Sequence, residues 1–293
     1  MRNSGNDSPE ILAGVTEKVG KEDRPLSVPR SRMATTERIR NGMQALLALP
    51  YYLLVCPISQ PGRTARFLQH IFEYQRSEKI YSRNRHLIPT VEPEQLFPGL
   101  FHQNISVLDL GSRPSGTTFR ETYILVSLLK LLGARAIFEF GTSEGRTTLQ
   151  FAINSPKDAE IFTLDLPADN FSTCFGRACP DEASFRRLPV GGLFEQYAEC
   201  RKIRQFLADS ATLNTEPFRD KMDLIFIDGD HSFNYLKSDS QNAFSMLSPR
   251  GVILWHDYGG RWPDVARFLR DLSSQKKLFH LAGTTLVVHD PAR

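Results

Sequence analysis

The chain has 293 residues, of which 41% are hydrophobic and 24% charged, and its formal net charge is +3. This composition is typical of a globular protein that buries a large core. The mild charge balance does not indicate a polyanion-binding protein, and we expect no nucleic-acid partner. Four cysteines are too few for a disulfide scaffold in a chain of this length, and they favour a reducing, cytoplasmic location.

The first third of the chain differs in texture from the rest. Residues 1–35 are rich in Ser, Pro, Gly and charge, which predicts a disordered tail without a secretory signal. Residues 36–105 carry two helical patterns and predict a helical N-terminal extension. Its apolar stretch 43–57 is shorter than the roughly 20 residues of a spanning helix. We expect this stretch to pack on the main domain or in an oligomer interface, with weak association to a membrane surface as the alternative.

From residue 106 to 293, short apolar runs alternate with helical patterns, which predicts βαβ units and a doubly wound, mostly parallel α/β sheet. The near-continuous apolar strands indicate burial on both faces. A loop-rich insertion is predicted at 168–195, and a C-terminal antiparallel hairpin at 277–289. The predicted helices are 117–133, 144–153, 233–247 and 262–274, and the predicted strands are 134–141, 160–166, 201–210, 222–230 and 250–258.

A glycine turn follows the first of these strands, in the segment IFEFGTSEGRTT. It has the pattern Glu139-x-Gly141-x-x-x-Gly145, which differs from the spacing of dinucleotide-binding turns. Glycines let the backbone approach a ligand closely, and ligands of open α/β sheets lie at such strand ends. The strand-end carboxylate suits a cationic amino-acid group better than a pyrophosphate. Asp165 ends the next strand, where its carboxylate can accept the hydroxyls of a ribose.

A second group of polar residues follows two later strands. Asp228, Asp230 and His231 lie just after MDLIFI, and His256 and Asp257 lie just after GVILW. Because neighbouring parallel strands end at one edge of the sheet, we expect these side chains to converge beside the cofactor. Carboxylates and imidazole can hold a divalent cation, Mg²⁺ or Mn²⁺, although a metal-free site using a base and positioning alone is the alternative.

Together the segments FEFGTSEGRTT, TLDLP, LADSA, DLIFIDGDHSFNYLKSD and SPRGVILWHDYG resemble class I S-adenosylmethionine-dependent methyltransferases. The branch is the one that includes catechol O-methyltransferase and the macrolide-sugar and aminocoumarin O-methyltransferases, which is methyltransferase family 24-like. The resemblance covers about residues 106–290, and it implies a Rossmann-like fold and S-adenosylmethionine as cofactor. The residues that it implicates in cofactor binding are Glu139, Gly141, Thr142, Ser143, Gly145, Asp165, Leu166, Asp209, Ser210 and Asp228.

The same resemblance implies roles at the catalytic end. Asp228 and Asp257 match metal ligands of the family, and His256, which stands where relatives often carry another acid, is predicted as a further ligand. Asp230 matches the base of the sugar-modifying branch, whereas His231 matches the basic position of the catechol branch, and the sequence does not decide between them. A role of Asp230 as a third metal ligand is the alternative. Relatives often pair through N-terminal helices, so a homodimer is expected by resemblance.

These features predict a methyltransferase that acts on a small hydroxylated acceptor such as a sugar, a phenol or a natural-product intermediate. We expect the insertion and the helical extension to close over the acceptor. The alternative is a non-catalytic methyltransferase-fold scaffold that acts through its N-terminal arm. The intact acidic and imidazole groups favour the enzyme, because a scaffold has no use for them.

Overall fold

A computed structural model describes residues 61–84, 86–109, 116–167, 189–259 and 262–292. The chain divides into two compact units, Met1–Thr64 and Ala65–Arg293. Of the first unit, the structure describes only residues 61–64, which begin a helix. The predicted tail, most of the helical extension and most of the 168–195 insertion lie outside the described residues, so their predicted roles stay predictions.

The described elements alternate along the chain as the sequence predicts. The helices are α1 (Pro61–Asn84), α2 (Pro93–Leu96), α3 (Phe119–Leu132), α4 (Arg146–Asn154), α5 (Phe233–Met246) and α6 (Pro263–Leu272). The strands are β1 (Thr90–Val91), β2 (Ala136–Phe140), β3 (Glu160–Asp165), β4 (Ile203–Leu207), β5 (Met222–Ile227), β6 (Leu247–Trp255), β7 (Phe279–Leu281) and β8 (Val287–His289). Among the described residues, no helix has the length and hydropathy needed to cross a membrane.

The strands form one eight-stranded sheet in the order β1-β7-β8-β6-β5-β2-β3-β4. All neighbouring pairs are parallel except β6 with β8 and β7 with β8. The chain runs outward from β2 to β3 and β4, then returns to the other side of β2 with β5. The switch point between β2 and β5 is where ligands bind in folds of this class. The predicted α/β fold with its C-terminal antiparallel hairpin is confirmed.

Helices cover both faces of the sheet, and the side chains of β2 show how the two layers divide. Ile137 packs into the layer that contains α3 and α4, whereas Phe138 and Phe140 pack into the layer that contains α5 and α6. Period-two alternation sends successive side chains to opposite faces. Glu139 therefore points into the α3–α4 layer.

Helix α3 begins and ends where its sequence signals indicate. Thr118 and Glu121 form a reciprocal capping box at its first turn, and Gly133 ends it in the left-handed conformation. This arrangement fixes Glu121 at the N-terminal end of the helix.

The segment 86–105, assigned from the sequence to the N-terminal extension, contributes to the sheet and to both layers. Thr90 of β1 lies opposite His280 of β7, and β1 forms an edge of the sheet. Ile88, Phe97 and Leu100 are buried in the core. The predicted domain boundary at residue 105 stays a prediction. The sequence did not indicate these contacts, because a two-residue strand and a single helical turn leave no periodic signal.

Candidate active site

The glycine turn after β2 is shaped by the protein's own backbone. Gly141 has a φ of +95°, and a Cβ there would lie 2.1 Å from the carbonyl oxygen of Asp228. Gly145 has a φ of +88°, and a Cβ there would lie 2.4 Å from the ring of Phe194. Both positions exclude L side chains on steric and conformational grounds. The close approach at Gly141 joins the ends of β2 and β5 at the switch point of the sheet.

Asp165 connects this turn to the end of β3. One carboxylate oxygen accepts a hydrogen bond from the backbone N–H of Ser143 at 2.6 Å, and the other accepts one from Leu166 at 2.7 Å. Ser143 itself has a positive φ of 49°. Each carboxylate oxygen can accept more than one hydrogen bond. The predicted contact of Asp165 with ribose hydroxyls is therefore compatible with its role in holding the turn.

Glu139 lies beneath the turn and is buried rather than open to the sheet edge. Its carboxyl accepts hydrogen bonds from Thr148 of α4 and, at 2.7 Å, from Thr163 of β3, while Thr142 lies 2.7 Å from the Thr163 hydroxyl. Burial raises the pKa of Glu139 to about 8, and the nearby negative charges of Asp228 and Asp165 act in the same direction. In this arrangement the carboxyl supports the turn from below, and its predicted contact with the cofactor stays a prediction.

Asp209 and Ser210 follow β4 at the same edge of the sheet. The carboxylate of Asp209 caps a short 3₁₀ turn by accepting the backbone N–H of Ala211 at 2.9 Å. The carbonyl of Ser210 accepts a hydrogen bond from the Asn242 side chain at 3.0 Å, which joins this turn to α5. These two predicted cofactor-binding residues thus lie on a turn that a hydrogen bond joins to α5.

The acidic and imidazole residues after β5 and β6 converge as predicted. Asp228 Oδ1 lies 2.9 Å from His256 Nδ1, and Asp257 Oδ2 lies 2.7 Å from His231 Nε2. Asp257 Oδ2 also lies 3.5 Å from His256 Nδ1, which links the two pairs. One contiguous network therefore spans the ends of two parallel strands.

This network stabilises both the positive charge of His256 and the negative charge of Asp257. Burial opposes a charge on His256, but the carboxylates of Asp228 and Asp257 outweigh it and raise the pKa of His256 well above its usual value. Burial by itself would raise the pKa of Asp257, but hydrogen bonds from His231 and His256 lower it well below its usual value. His256 is consequently held as an imidazolium beside these two carboxylates.

Three residues of the network offer ligand atoms that all lie within 4.8 Å of one another: Asp228, His231 and Asp257. All three are half-buried, and two carboxylates with one imidazole fit a divalent cation such as Mn²⁺. His256, a predicted ligand, is not in this group. Its Nδ1 faces Asp228, and its Nε2 lies 3.4 Å from Glu121, so both ring nitrogens have carboxylate partners.

The two predicted bases lie on one loop in different surroundings. Asp230 Oδ1 accepts the backbone N–H of Ser232 at 2.7 Å, just before α5 begins. The ring of His231 stacks on Trp262, with centroids 4.2 Å apart and an interplanar angle of 4°. The stack and the hydrogen bond to Asp257 together fix the plane and the direction of the His231 imidazole.

Residues 138–258 match the family model of a methyltransferase domain. The matched span contains the glycine turn, Asp165, the Asp209–Ser210 turn and the Asp228–Asp257 network. Residues 138–258 carry a methyltransferase domain. The class predicted from the sequence is thereby confirmed. No curated protein matches the chain by sequence.

Solved structures similar to this methyltransferase chain share little sequence with it. The cofactor-bound Rv0187 from MTB is 16% identical, with 61% of this chain and 83% of that chain covered and a TM-score of 0.43. The O-methyltransferase TomG from Streptomyces achromogenes, in complex with SAM, is 15% identical, with 71% and 92% covered and a TM-score of 0.40. A methyltransferase from Geobacter sulfurreducens is 16% identical, with 68% and 85% covered and a TM-score of 0.42. Because these TM-scores are below 0.5, the assignment rests on the family match.

Two buried carboxyl groups near the candidate site escaped the sequence analysis. Glu121 of α3 contacts His256, although 135 residues separate them in the chain. Asp239 of α5 is buried, and its pKa is raised to about 7, first by burial and also by the charges of Asp230 and Asp209. The Thr118–Glu121 spacing signals a helix start, but no local pattern indicates either long-range contact.

Proposed function

We propose that the chain is an S-adenosylmethionine-dependent O-methyltransferase for a small hydroxylated acceptor, assisted by a divalent cation. The observation that carries this proposal is the convergence of Asp228, His231 and Asp257 at the same sheet edge as the glycine turn and Asp165. Methyl transfer from a sulfonium requires cofactor and acceptor oxygen to be held in line. A cofactor-binding turn and a polar cluster on adjacent strands meet that requirement.

In the proposed site, each strand end contacts a different part of the cofactor. Asp165 accepts the ribose hydroxyls, and Asp209 with Ser210 borders the adenine. The glycine turn, which contains Thr142 and Ser143, receives the methionine part. The family resemblance implies this division, and the strand order supports it, because β2, β3 and β4 are neighbours and β5 lies on the other side of β2.

Asp228, His231 and Asp257 would hold the cation, which lowers the pKa of a coordinated acceptor hydroxyl when it is bound. The stack on Trp262 holds the imidazole of His231, and the bond to Asp257 orients its Nε2. With His231 in the ligand set, Asp230 is the proton acceptor among the two predicted bases. Substituting His231→Ala tests this division: loss of Mn²⁺ affinity supports a ligand, whereas unchanged Mn²⁺ affinity with lost methyl transfer supports a base.

Titration of S-adenosylhomocysteine into the full chain tests the cofactor assignment. We expect Asp165→Asn to weaken binding about tenfold to a hundredfold, since a hydrogen bond to a charged group contributes about 1.5–3 kcal/mol. The matched control is Glu160→Gln, which neutralises an exposed carboxylate at the opposite end of the same strand. No binding by the wild-type chain would refute the proposal.

Methyl transfer from labelled S-adenosylmethionine to phenol, catechol and sugar acceptors tests the reaction. We expect transfer to at least one acceptor class in the presence of Mn²⁺ or Mg²⁺, and its loss in Asp228→Asn. Methyl transfer that a chelator does not inhibit would refute the role of the cation but not the assignment as a methyltransferase. Cofactor binding without transfer to any acceptor would favour the non-catalytic scaffold.

A further inference from the structure

Glu121 places a buried carboxylate behind the candidate cation site, although it belongs to α3 and lies outside the matched methyltransferase span. The residue is 1% exposed. Its two oxygens contact different parts of the molecule. Oε1 accepts hydrogen bonds from the backbone N–H of Thr285 at 2.7 Å and from its hydroxyl at 2.9 Å, whereas Oε2 faces His256.

The hydrogen bonds of Oε1, here called the Oε1 branch, lead through Thr285 to the backbone of the loop that carries Asp257. The Thr285 hydroxyl, which donates to Glu121, accepts the backbone N–H of Asp257 at 3.2 Å. The carbonyl of Thr285 accepts the next N–H of the loop, that of Tyr258, at 2.9 Å. Asp257 has a φ of +63°, a conformation that disfavours non-glycine residues by roughly 1–2 kcal/mol. Such a conformation persists only where the surroundings hold it, and the bonds to Thr285 do so here.

The Oε2 branch reaches the side chains of the cluster. Oε2 lies 3.4 Å from His256 Nε2, and the opposite ring nitrogen lies 2.9 Å from Asp228 Oδ1. His256 therefore bridges Glu121 and Asp228. The two branches of one carboxylate thus end on two of the three residues that offer ligand atoms to a cation.

Helix capping alone does not account for these contacts. In the capping box, Glu121 Oε2 accepts the backbone N–H of Thr118 at 2.8 Å, and the Thr118 hydroxyl oxygen accepts the backbone N–H of Glu121 at 3.2 Å. Those two reciprocal bonds complete the motif. The contacts with Thr285 and His256 join α3 to residues far along the chain and contribute nothing to the cap.

We propose that Glu121 is a positioning residue of the candidate cation site, which holds the Asp257 loop through Thr285 and the Asp228 side chain through His256. This inference rests on the proposed function, because it requires the cluster to bind a cation. Glu121 touches none of the three ligand-offering side chains directly. Its effect is on the geometry in which they meet.

Titration of Mn²⁺ alone into the full-length chain tests the inference. Glu121→Gln keeps a residue type that capping boxes accept, but it removes the charge and places an amide against donors. We expect about 10–100-fold weaker Mn²⁺ binding, the loss typical when a partner behind the ligands is changed. Binding of S-adenosylhomocysteine should weaken far less than that of Mn²⁺, because Glu121 contacts none of the predicted cofactor residues directly and reaches only Asp228, through His256.

Thr122→Val is the matched control. Thr122 is the next residue of α3, equally buried, and its hydroxyl bonds to Thr117 rather than to the cluster. We expect this variant to lose thermal stability but not Mn²⁺ affinity. An equal loss of Mn²⁺ affinity in Thr122→Val and Glu121→Gln would overturn the inference, because general destabilisation of the helix would then explain both.

A second variant tests the branch through Thr285. Thr285→Val removes the hydroxyl that relays Glu121 to the backbone of Asp257, and we expect it to weaken Mn²⁺ binding as well. Because both changes break one path, the double variant should lose less affinity than the product of the two single losses. Losses that multiply would indicate independent effects and contradict the relay.

The outcomes separate this inference from the proposed function. If the wild type binds both ligands and Glu121→Gln binds Mn²⁺ with unchanged affinity, only the positioning role of Glu121 is refuted. If the wild type binds S-adenosylhomocysteine but does not bind Mn²⁺, the cation site is refuted and this inference with it. Failure to bind S-adenosylhomocysteine would refute the proposed function, whatever the Mn²⁺ result.

Discussion

The buried carboxyl group of Glu139 predicts a specific dependence of stability on pH. Burial raises its pKa from the usual 4.5 to about 8 in the folded chain, so the folded state binds this proton more tightly than the unfolded state. The contribution of Glu139 to the free energy of unfolding is therefore most favourable at acidic pH. It falls as pH rises from the unfolded pKa towards the folded one, and the loss is complete above about 8.

The magnitude follows from the separation of the two pKa values. Each pKa unit corresponds to about 1.4 kcal/mol, so Glu139 lowers the free energy of unfolding by about 3 kcal/mol near neutral pH and about 5 kcal/mol at the alkaline limit. Glu139→Gln removes this penalty. Its side-chain carbonyl can still accept from Thr148 and Thr163, although its buried amide costs about 1–3 kcal/mol at every pH.

Urea unfolding of the wild type and Glu139→Gln at several pH values between about 5 and 9 measures the effect. We expect the difference in free energy of unfolding to shift steadily in favour of the variant as pH rises. Glu160→Gln, an exposed carboxylate on the neighbouring strand, should run parallel to the wild type. A difference for Glu139→Gln that stays constant with pH would show that the buried carboxyl ionises normally, and would refute the reasoning.

Three further changes test the surroundings of the site by the same unfolding assay. Gly141→Ala should cost more than Gly116→Ala, since both have positive φ but only Gly141 also meets a backbone oxygen; equal losses would contradict the steric argument. Asp239→Asn should gain stability relative to the wild type as pH rises from 3.8 towards about 7, because burial raises the pKa of Asp239; a pH-independent difference would contradict this. Lys202→Met should lose about 1–3 kcal/mol, because the Lys202 ammonium donates to two carbonyls at the end of α4; an unchanged midpoint would show that these bonds add nothing.

The order of the elements in the methyltransferase domain could be predicted from the sequence because each signal is local. The apolar run before Asp228 gives β5, and Gly133 marks the end of α3. The chemical groups of the site could be found for the same reason, since strand ends in a parallel sheet share an edge. The family match to residues 138–258 confirms that these local patterns identified the methyltransferase.

The partners of those groups could not be predicted in this way. The sequence places His231 and His256 equally well beside the acids, but only packing decides that His231 meets Asp257 while His256 lies between Asp228 and Glu121. The pairing of β1 with β7 likewise joins residues nearly two hundred positions apart.

The strand–helix alternation, the glycine turn and the set of acidic and imidazole residues can be predicted from the sequence, because these features depend on neighbours along the chain. Only the packed fold encloses Glu139 between α4 and β3 and brings Glu121 to the cluster. Both outcomes depend on which faces of distant elements pack together. Hydrogen-bond partners and desolvation are set by that packing, and no local pattern encodes them.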